Sequence, residues 1–281
     1  MRYLVINADD FGMTNGTNSG IVQAIVEGMA TDTSILACGG AFDDAVRLAR
    51  ENGIKEAGAH LSLTEVRPLV LRRKIKNYAA LAINLFFGRL SEDEVRSEFR
   101  AQLDRIRSAG VEITHLDSHE NIHILPRIQR IFAQLAAEYK IPAMRLLREE
   151  GISGAVTPAR AYRSLVSRYF SGKNESVLDK AGLFHPGRVL GFLDSGRLSE
   201  NLLLAMLRTL KDGVTELIAH PGFLSPELVE NYSWHINCED ELYALTSPRV
   251  RRIIDEKKIK LVSYKEAADI GAEGGSSLRS P

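Results

Sequence analysis

Cysteine is nearly absent from this chain of 281 residues: Cys38 and Cys238 are the only two, far apart in sequence. Their separation matches no zinc or redox spacing, which excludes a disulfide scaffold and a thiolate metal site and leaves two free thiols, as expected in a reducing compartment. No apolar stretch approaches the ~20 residues that a membrane span requires, so no membrane span is expected. Charge of one sign is missing too: 36 basic residues balance 36 acidic ones without a long block of either, so nothing marks a nucleic-acid partner. No G-x-G-x-x-G follows the first apolar run and no Walker lysine is present, which disfavours a nucleotide-binding sheet. The N-terminus has no basic segment ahead of an apolar leader; it is already a strand bearing candidate site residues, so a cytoplasmic location is expected.

What remains is an ordinary globular composition, 44% hydrophobic and 26% charged, long enough for one large α/β barrel or two modest domains. Short apolar runs at Tyr3–Asn7, Ser34–Ala37, Ala57–Leu63, Glu112–Ser118, Ala143–Leu147, Val189–Phe192, Thr215–Ala219 and Lys260–Ser263 read as strands. Helical patterns lie between them at Gly20–Glu27, Ala41–Asn52, Ser91–Ala109, Leu125–Lys140, Ala159–Phe170, Ser199–Lys211 and Ser247–Lys257. Strand–helix alternation of this kind predicts a parallel sheet. With about eight strands, a distorted (β/α) TIM-like barrel in a single domain, residues 1–270, is favoured over a doubly wound sheet. Arg67–Arg89 breaks the rhythm and reads as a long βα insertion: a lid, a crossing helix or a plain surface excursion. The Gly- and Ser-rich tail, residues 271–281, is expected to be disordered.

The first strand, Tyr3-Leu-Val-Ile, ends in Asn7-Ala-Asp9-Asp10-Phe-Gly12. Adjacent Asp pairs most often start a turn or cap a helix. At the C-terminal end of a parallel strand, however, two carboxylates leave in different directions where α/β folds place their chemistry, and one can hold a metal while the other handles a proton. The histidines repeat that placement. His60 ends a strand, His115, His119 and His123 fall within nine residues, and His220 follows Glu216-Leu-Ile-Ala. One carboxylate and imidazoles from separate strand ends fit a three-ligand catalytic metal with an open position for water. His115 can instead be a buried residue tied to Asp117, and His119 can hold a ligand in place rather than bind metal. His185 and His235, each isolated, are set aside as surface or hydrogen-bonding residues.

Asn7-Ala-Asp-Asp-Phe-Gly12, Gly58-Ala-His60-Leu-x-Leu-Thr-Glu-x-Arg-Pro68 and Thr114-His-x-Asp-Ser-His-x-Asn-x-His123-x-x-Pro126 resemble the signatures of the YdjC-like carbohydrate deacetylases, which include a chitooligosaccharide branch and a hopanoid-associated branch. Arg145-Leu-Leu-Arg-Glu149, Glu216-Leu-Ile-Ala-His220-Pro-Gly222, Glu241-Leu-x-x-Leu-Thr-Ser and Lys260-Leu-Val-Ser-Tyr264 follow in order. The resemblance implies a distorted (β/α) barrel that uses one divalent metal ion to hydrolyse the N-acetyl group of an amino sugar, on a chito-oligosaccharide or a glycolipid. It makes Asp10, His60 and His123 the metal ligands, Asp9 the general base and His220 a group near the leaving amine; Arg145 is expected to orient or pair with Asp9. Magnesium is associated with the family, while the donor types also suit zinc, cobalt or manganese. The chain departs from some members at Asn121 and Val66.

The predicted reaction yields acetate and a free amine, with an N-acetylated sugar as the partner molecule. Tyr162, Tyr169, Phe192, Phe223 and Trp234 are candidates for stacking on its ring. The alternative is a metal-dependent amidohydrolase or phosphoesterase on a barrel; such sites usually need His-x-His on the first strand or a second metal, where this chain has Asp-Asp. A homodimer burying part of Leu81–Phe87 is one expectation for that insertion, and packing within the chain is the other.

Overall fold

The computed structural model describes residues 1–149 and 157–274. Among the described residues eight parallel strands form one sheet: β1 (Arg2–Phe11), β2 (Asp32–Ile35), β3 (Glu56–Leu61), β4 (Glu112–Ser118), β5 (Ala143–Met144), β6 (Arg188–Leu190), β7 (Gly213–Ala219) and β8 (Lys260–Leu261). Their order is β5-β4-β3-β2-β1-β7-β6, with β8 attached to β1. Each predicted strand is present, and all the pairings are parallel, as buried, continuously apolar runs joined by helices require.

The expected barrel does not close. Strand β8 takes no place of its own in the circuit, because it pairs only with Tyr3 and Leu4 of β1, on a strand that already runs beside β7 and β2. At the other end β5 is two residues long, against the five expected, and meets Phe184 through a single bridge. Beyond it the amide of Val189 bonds the carbonyl of Arg148, so irregular hydrogen bonds stand where a ladder would seal the sheet. Arg145 still donates its amide to the Leu116 carbonyl of β4 while its side chain turns into the interior to meet carboxylates; past it the Arg148 amide turns back onto the Leu146 carbonyl, so the run leaves the ladder. The fold is a curled, open α/β half-barrel in one domain.

Helices connect the strands near their expected bounds. Glu92–Ser108 begins at Ser91 with a reciprocal capping box to Glu94, and Pro126–Tyr139 starts on its proline. The helix Pro158–Lys180 runs well past the expected Phe170. The insertion contains a helix, Tyr78–Phe86, capped by the Asn77 side chain. The terminal helix Tyr264–Gly274 continues four residues into the segment expected to be disordered, and 275–281 lies outside the described residues.

Two local features aim the sheet at its site. Strand β1 runs through both aspartates, and its register with β2 shifts between Ala8 and Phe11. Within that irregularity Asp10 adopts φ 71°, a left-handed conformation that costs an L-residue ~1–2 kcal/mol. Gly12 then turns the chain at φ 111°, and Asn18 Oδ1 accepts its amide at 2.6 Å, pinning the turn to the helix Asn15–Val26. Gly58 in β3 leaves room for the His115 ring, since a Cβ there would lie 2.3 Å from Nε2.

Candidate active site and metal centre

The two aspartates face different partners. Asp9 is held by Arg145, with Nη1 donating to Oδ2 at 2.8 Å and Nη2 to Oδ1 at 2.7 Å. The same guanidinium reaches Glu216 Oε1 from Nε and Asp117 Oδ2 from Nη2, both at 2.8 Å. Asn7 Nδ2 adds a bond to Asp9 Oδ1 at 2.6 Å. One buried cation thus serves three buried carboxylates from β1, β4 and β7. Burial alone would raise Asp117, but Arg145 and then His60 hold it well below the usual carboxylate range. Burial dominates at Glu216 and pushes it up, against Arg145 and the Tyr264 hydroxyl, which donates to Oε2 at 2.5 Å.

Asp10 sits among imidazoles. Its Oδ1 lies 2.8 Å from His119 Nδ1 and 3.2 Å from His60 Nε2, and its Oδ2 lies 2.9 Å from His235 Nε2. His60 turns its Nδ1 to Asp117 Oδ1 at 2.9 Å, so its Nε2 faces Asp10. A carboxylate behind an imidazole that points its other nitrogen inward is how metal-binding histidines are usually held. Burial opposes charge on His119, yet Asp10 and then Glu65 push it up to about 9. His60 is raised as well, against its burial, by Asp117 and Asp9. Three imidazoles are packed round a single buried carboxylate, and donors of Asp10, His60 and His119 lie within 4.8 Å of one another. Oxygen and imidazole donors in this number fit a divalent cation.

The family model for YdjC-like proteins matches residues 3–256. The chain belongs to that family. A carbohydrate deacetylase of Clostridium beijerinckii is 29% identical over 273 residues, covering 94% of this chain and 99% of that one. A mouse carbohydrate deacetylase is 30% identical over 293 residues, covering 94% of each. Among solved structures, a protein of Enterococcus faecalis V583 assigned to cellobiose-phosphate cleavage superposes with a TM-score of 0.75 at 25% identity, covering 94% of this chain and 98% of that one.

In this YdjC-like chain the site opens into a cleft of about 440 Å³, with Asp9, Asp10, His60, His119 and His220 on its floor and walls. His220 follows β7; its backbone amide donates to Glu241 Oε2 at 2.6 Å and its Nδ1 lies 3.7 Å from that oxygen. Burial would discharge the ring, but Glu241 first and then Asp9 and Asp10 raise it. Of the aromatic candidates, Phe192, Tyr162 and Trp234 line the cleft, together with Tyr78. Tyr169 and Phe223 are exposed and are not among its lining residues.

His123 is not in the three-donor group around Asp10. The turn His119–Ile124 is a 3-10 segment with Glu120 and Asn121 at left-handed φ of 51° and 52°, so the i,i+4 pair does not share a helical face. His123 Nδ1 meets Ser118 Oγ at 2.6 Å, while Nε2 is buried without a hydrogen-bond partner among the described residues. Burial, with Arg145 nearby, pulls its ring down to about 3. His115 lies stacked on Tyr264 at 3.6 Å, its Nε2 3.2 Å from Ser34 Oγ, which in turn donates to Asp117.

Three site residues escaped the sequence reading. His235 contacts Asp10 directly, though nothing in Ser-Trp-His-Ile distinguishes it from a surface histidine. Glu65, at φ 59°, accepts from Trp234 Nε1 at 3.1 Å and meets His119 Nε2 at 3.0 Å. Glu216 sits inside its strand, where its own motif, Glu-Leu-Ile-Ala-His, marks it but does not say that it meets Arg145.

Proposed function

We propose that this protein is a metal-dependent N-deacetylase of amino sugars, releasing acetate from an N-acetylated saccharide. It is a hydrolase of amide bonds. The observation that carries the reading is the division of labour between adjacent carboxylates on one cleft: Asp9 on a guanidinium, Asp10 among imidazoles.

Asp10 and His60 would hold a divalent ion, and the turn after β4 offers the third imidazole. Two residues there compete: His119, whose Nδ1 is already against Asp10, and His123, whose buried Nε2 has no hydrogen-bond partner among the described residues. A divalent ion in this position supplies Lewis acidity toward an amide oxygen and acidifies water. Asp9 would take the proton of the attacking water, its carboxylate oriented by Arg145 and Asn7. His220, raised toward its charged form, gives a proton to the departing amine. Water adds to the acetyl carbon, the C–N bond breaks, and acetate and the amino sugar leave. The aromatic walls Tyr162, Phe192 and Trp234 suit the apolar face of a sugar ring.

The test is acetate release from N-acetylglucosamine and N,N′-diacetylchitobiose by metal-stripped protein, before and after addition of Mg²⁺, Zn²⁺, Mn²⁺ or Co²⁺. Release that requires an added ion is expected. Protein that binds none of these ions, or that releases acetate equally well without them, refutes the metal-dependent reading.

A further inference from the structure

The balanced charge of the chain hides a local imbalance in two segments, which send Tyr78 and Tyr162, respectively, into the lining of the cleft. Between Val66 and Glu92 stand Arg67, Arg72, Arg73, Lys74, Lys76 and Arg89, all exposed, and no acidic residue. Between Thr157 and Asn174 stand Arg160, Arg163, Arg168 and Lys173, again without an acidic residue. Arg160 is engaged with Asp194; Arg168 and Lys173 are exposed. These two segments hold ten of the 36 basic residues, so the remainder of the chain, with 26 basic against 36 acidic, carries a net −10.

Among the described residues, the four most exposed large apolar side chains, Phe86, Leu165, Phe87 and Tyr169, lie in the same segments. Phe86 and Phe87 are 83% and 64% exposed at the end of the helix Tyr78–Phe86, with Ile83 beside them. On the helix Pro158–Lys180, Tyr162, Leu165 and Tyr169 recur at i, i+3 and i+7, one helical face, with Leu165 69% exposed. Cations and rings interleave: Arg89 lies 5.4 Å from the Phe87 ring centroid and Lys173 Nζ 4.7 Å from that of Tyr169. The two helices border one opening, since Tyr78 and Tyr162 both line the cleft and Tyr78, Val166 and Phe170 pack on one apolar cluster.

We propose that this basic, aromatic rim is a docking surface for an anionic lipid membrane, which it meets with the cleft mouth beside it. Lysines and arginines flanking exposed aromatic and aliphatic side chains are what an interfacial protein uses: the cations are drawn to anionic headgroups and the apolar residues enter the acyl boundary. No described helix is long and apolar enough to cross a membrane, so contact is peripheral. A second copy is disfavoured as occupant, because a two-fold pairing would set this basic patch against itself. A nucleic acid would use the cations and rings but has no use for Ile83 and Leu165.

The experiment is co-sedimentation of the full chain with vesicles of phosphatidylcholine alone, or of phosphatidylcholine with about a third phosphatidylglycerol. Binding to the anionic vesicles only, weakened by salt, is expected. The triple variant Phe86→Ser, Phe87→Ser, Leu165→Ser and the double variant Lys74→Glu, Lys76→Glu should each bind about tenfold more weakly or worse. Both should keep the wild-type melting temperature and acetate release from soluble N,N′-diacetylchitobiose. No binding to anionic vesicles at low salt, or binding that neither variant weakens, would overturn the proposal. So would a wild-type dimer that the triple variant dissolves, or retention of single-stranded RNA without vesicle binding. The readout needs no turnover, so its failure is separable from failure of the deacetylase reading.

Discussion

Arg145 grips Asp9 through both carboxylate oxygens, at 2.7 and 2.8 Å, while Asp10, the next residue, is turned away into a ring of imidazoles. Neighbouring side chains on a strand already point to opposite faces; the left-handed φ of Asp10 and the register shift of β1 re-aim the second so that both stay on one cleft.

If Asp9 handles the proton, Asp9→Asn removes activity without emptying the metal site. Acetate release should fall ~10²–10⁴-fold, with metal content by elemental analysis near wild type. A variant that turns over at the wild-type rate would refute the role.

The third imidazole is decided by two variants. Metal titration of His119→Ala and His123→Ala should show one of them losing most of its affinity for the ion, and that residue is the ligand. Should both variants bind as well as wild type, neither histidine is a ligand and the proposed centre fails.

Arg145→Met should be costly to the fold as well as to catalysis. It leaves Asp9, Asp117 and Glu216 buried without their shared cation, and breaking a buried ionic cluster from one side destabilises by ~3–5 kcal/mol. Chemical denaturation would measure it; a loss below about 1 kcal/mol would mean that these carboxylates take up protons with little penalty.

Asp32 sets a pH dependence away from the metal centre. Burial, aided by Glu216, Glu56 and Glu266, pushes its carboxyl up to about 8, although the Tyr264 amide, 2.6 Å from Oδ2, favours the charged form. The folded state therefore holds this proton more tightly than the unfolded chain. The stabilisation is complete below about pH 4 and is lost as pH rises through about 8, at ~1.4 kcal/mol per pH unit at most. Asp32→Asn, which keeps an acceptor for the amide, should flatten that part of the stability profile between pH 4 and 8. Parallel profiles for the two proteins over this range would disprove it.

Much of the architecture was legible locally. Eight short apolar runs and the helical stretches between them are written in nearest-neighbour patterns, so the number of strands, their places along the chain and their parallel sense followed from periodicity and alternation. Capping signals such as Ser91 and Pro126 placed helix starts to within a residue. The Asp-Asp pair at the end of β1 and the histidines at the ends of β3 and β7 were visible for the same reason, because strand ends are local features.

Closure of the sheet was not. It depends on where the chain leaves the ladder after Arg145, with the Arg148 amide bonding Leu146 and its carbonyl meeting Val189, and such edge contacts join residues far apart in sequence. His235 reaches Asp10 across 225 positions of sequence, and no spacing rule spans that distance. That His119 lies against Asp10 while His123 turns elsewhere follows from two left-handed residues, Glu120 and Asn121, which break the i,i+4 geometry. The sequence alone determined which elements form and which residue types stand at their ends, since propensity and periodicity act over a few residues. Only the tertiary structure decided which of those ends share a buried charge, because Coulomb attraction and desolvation depend on distance in space.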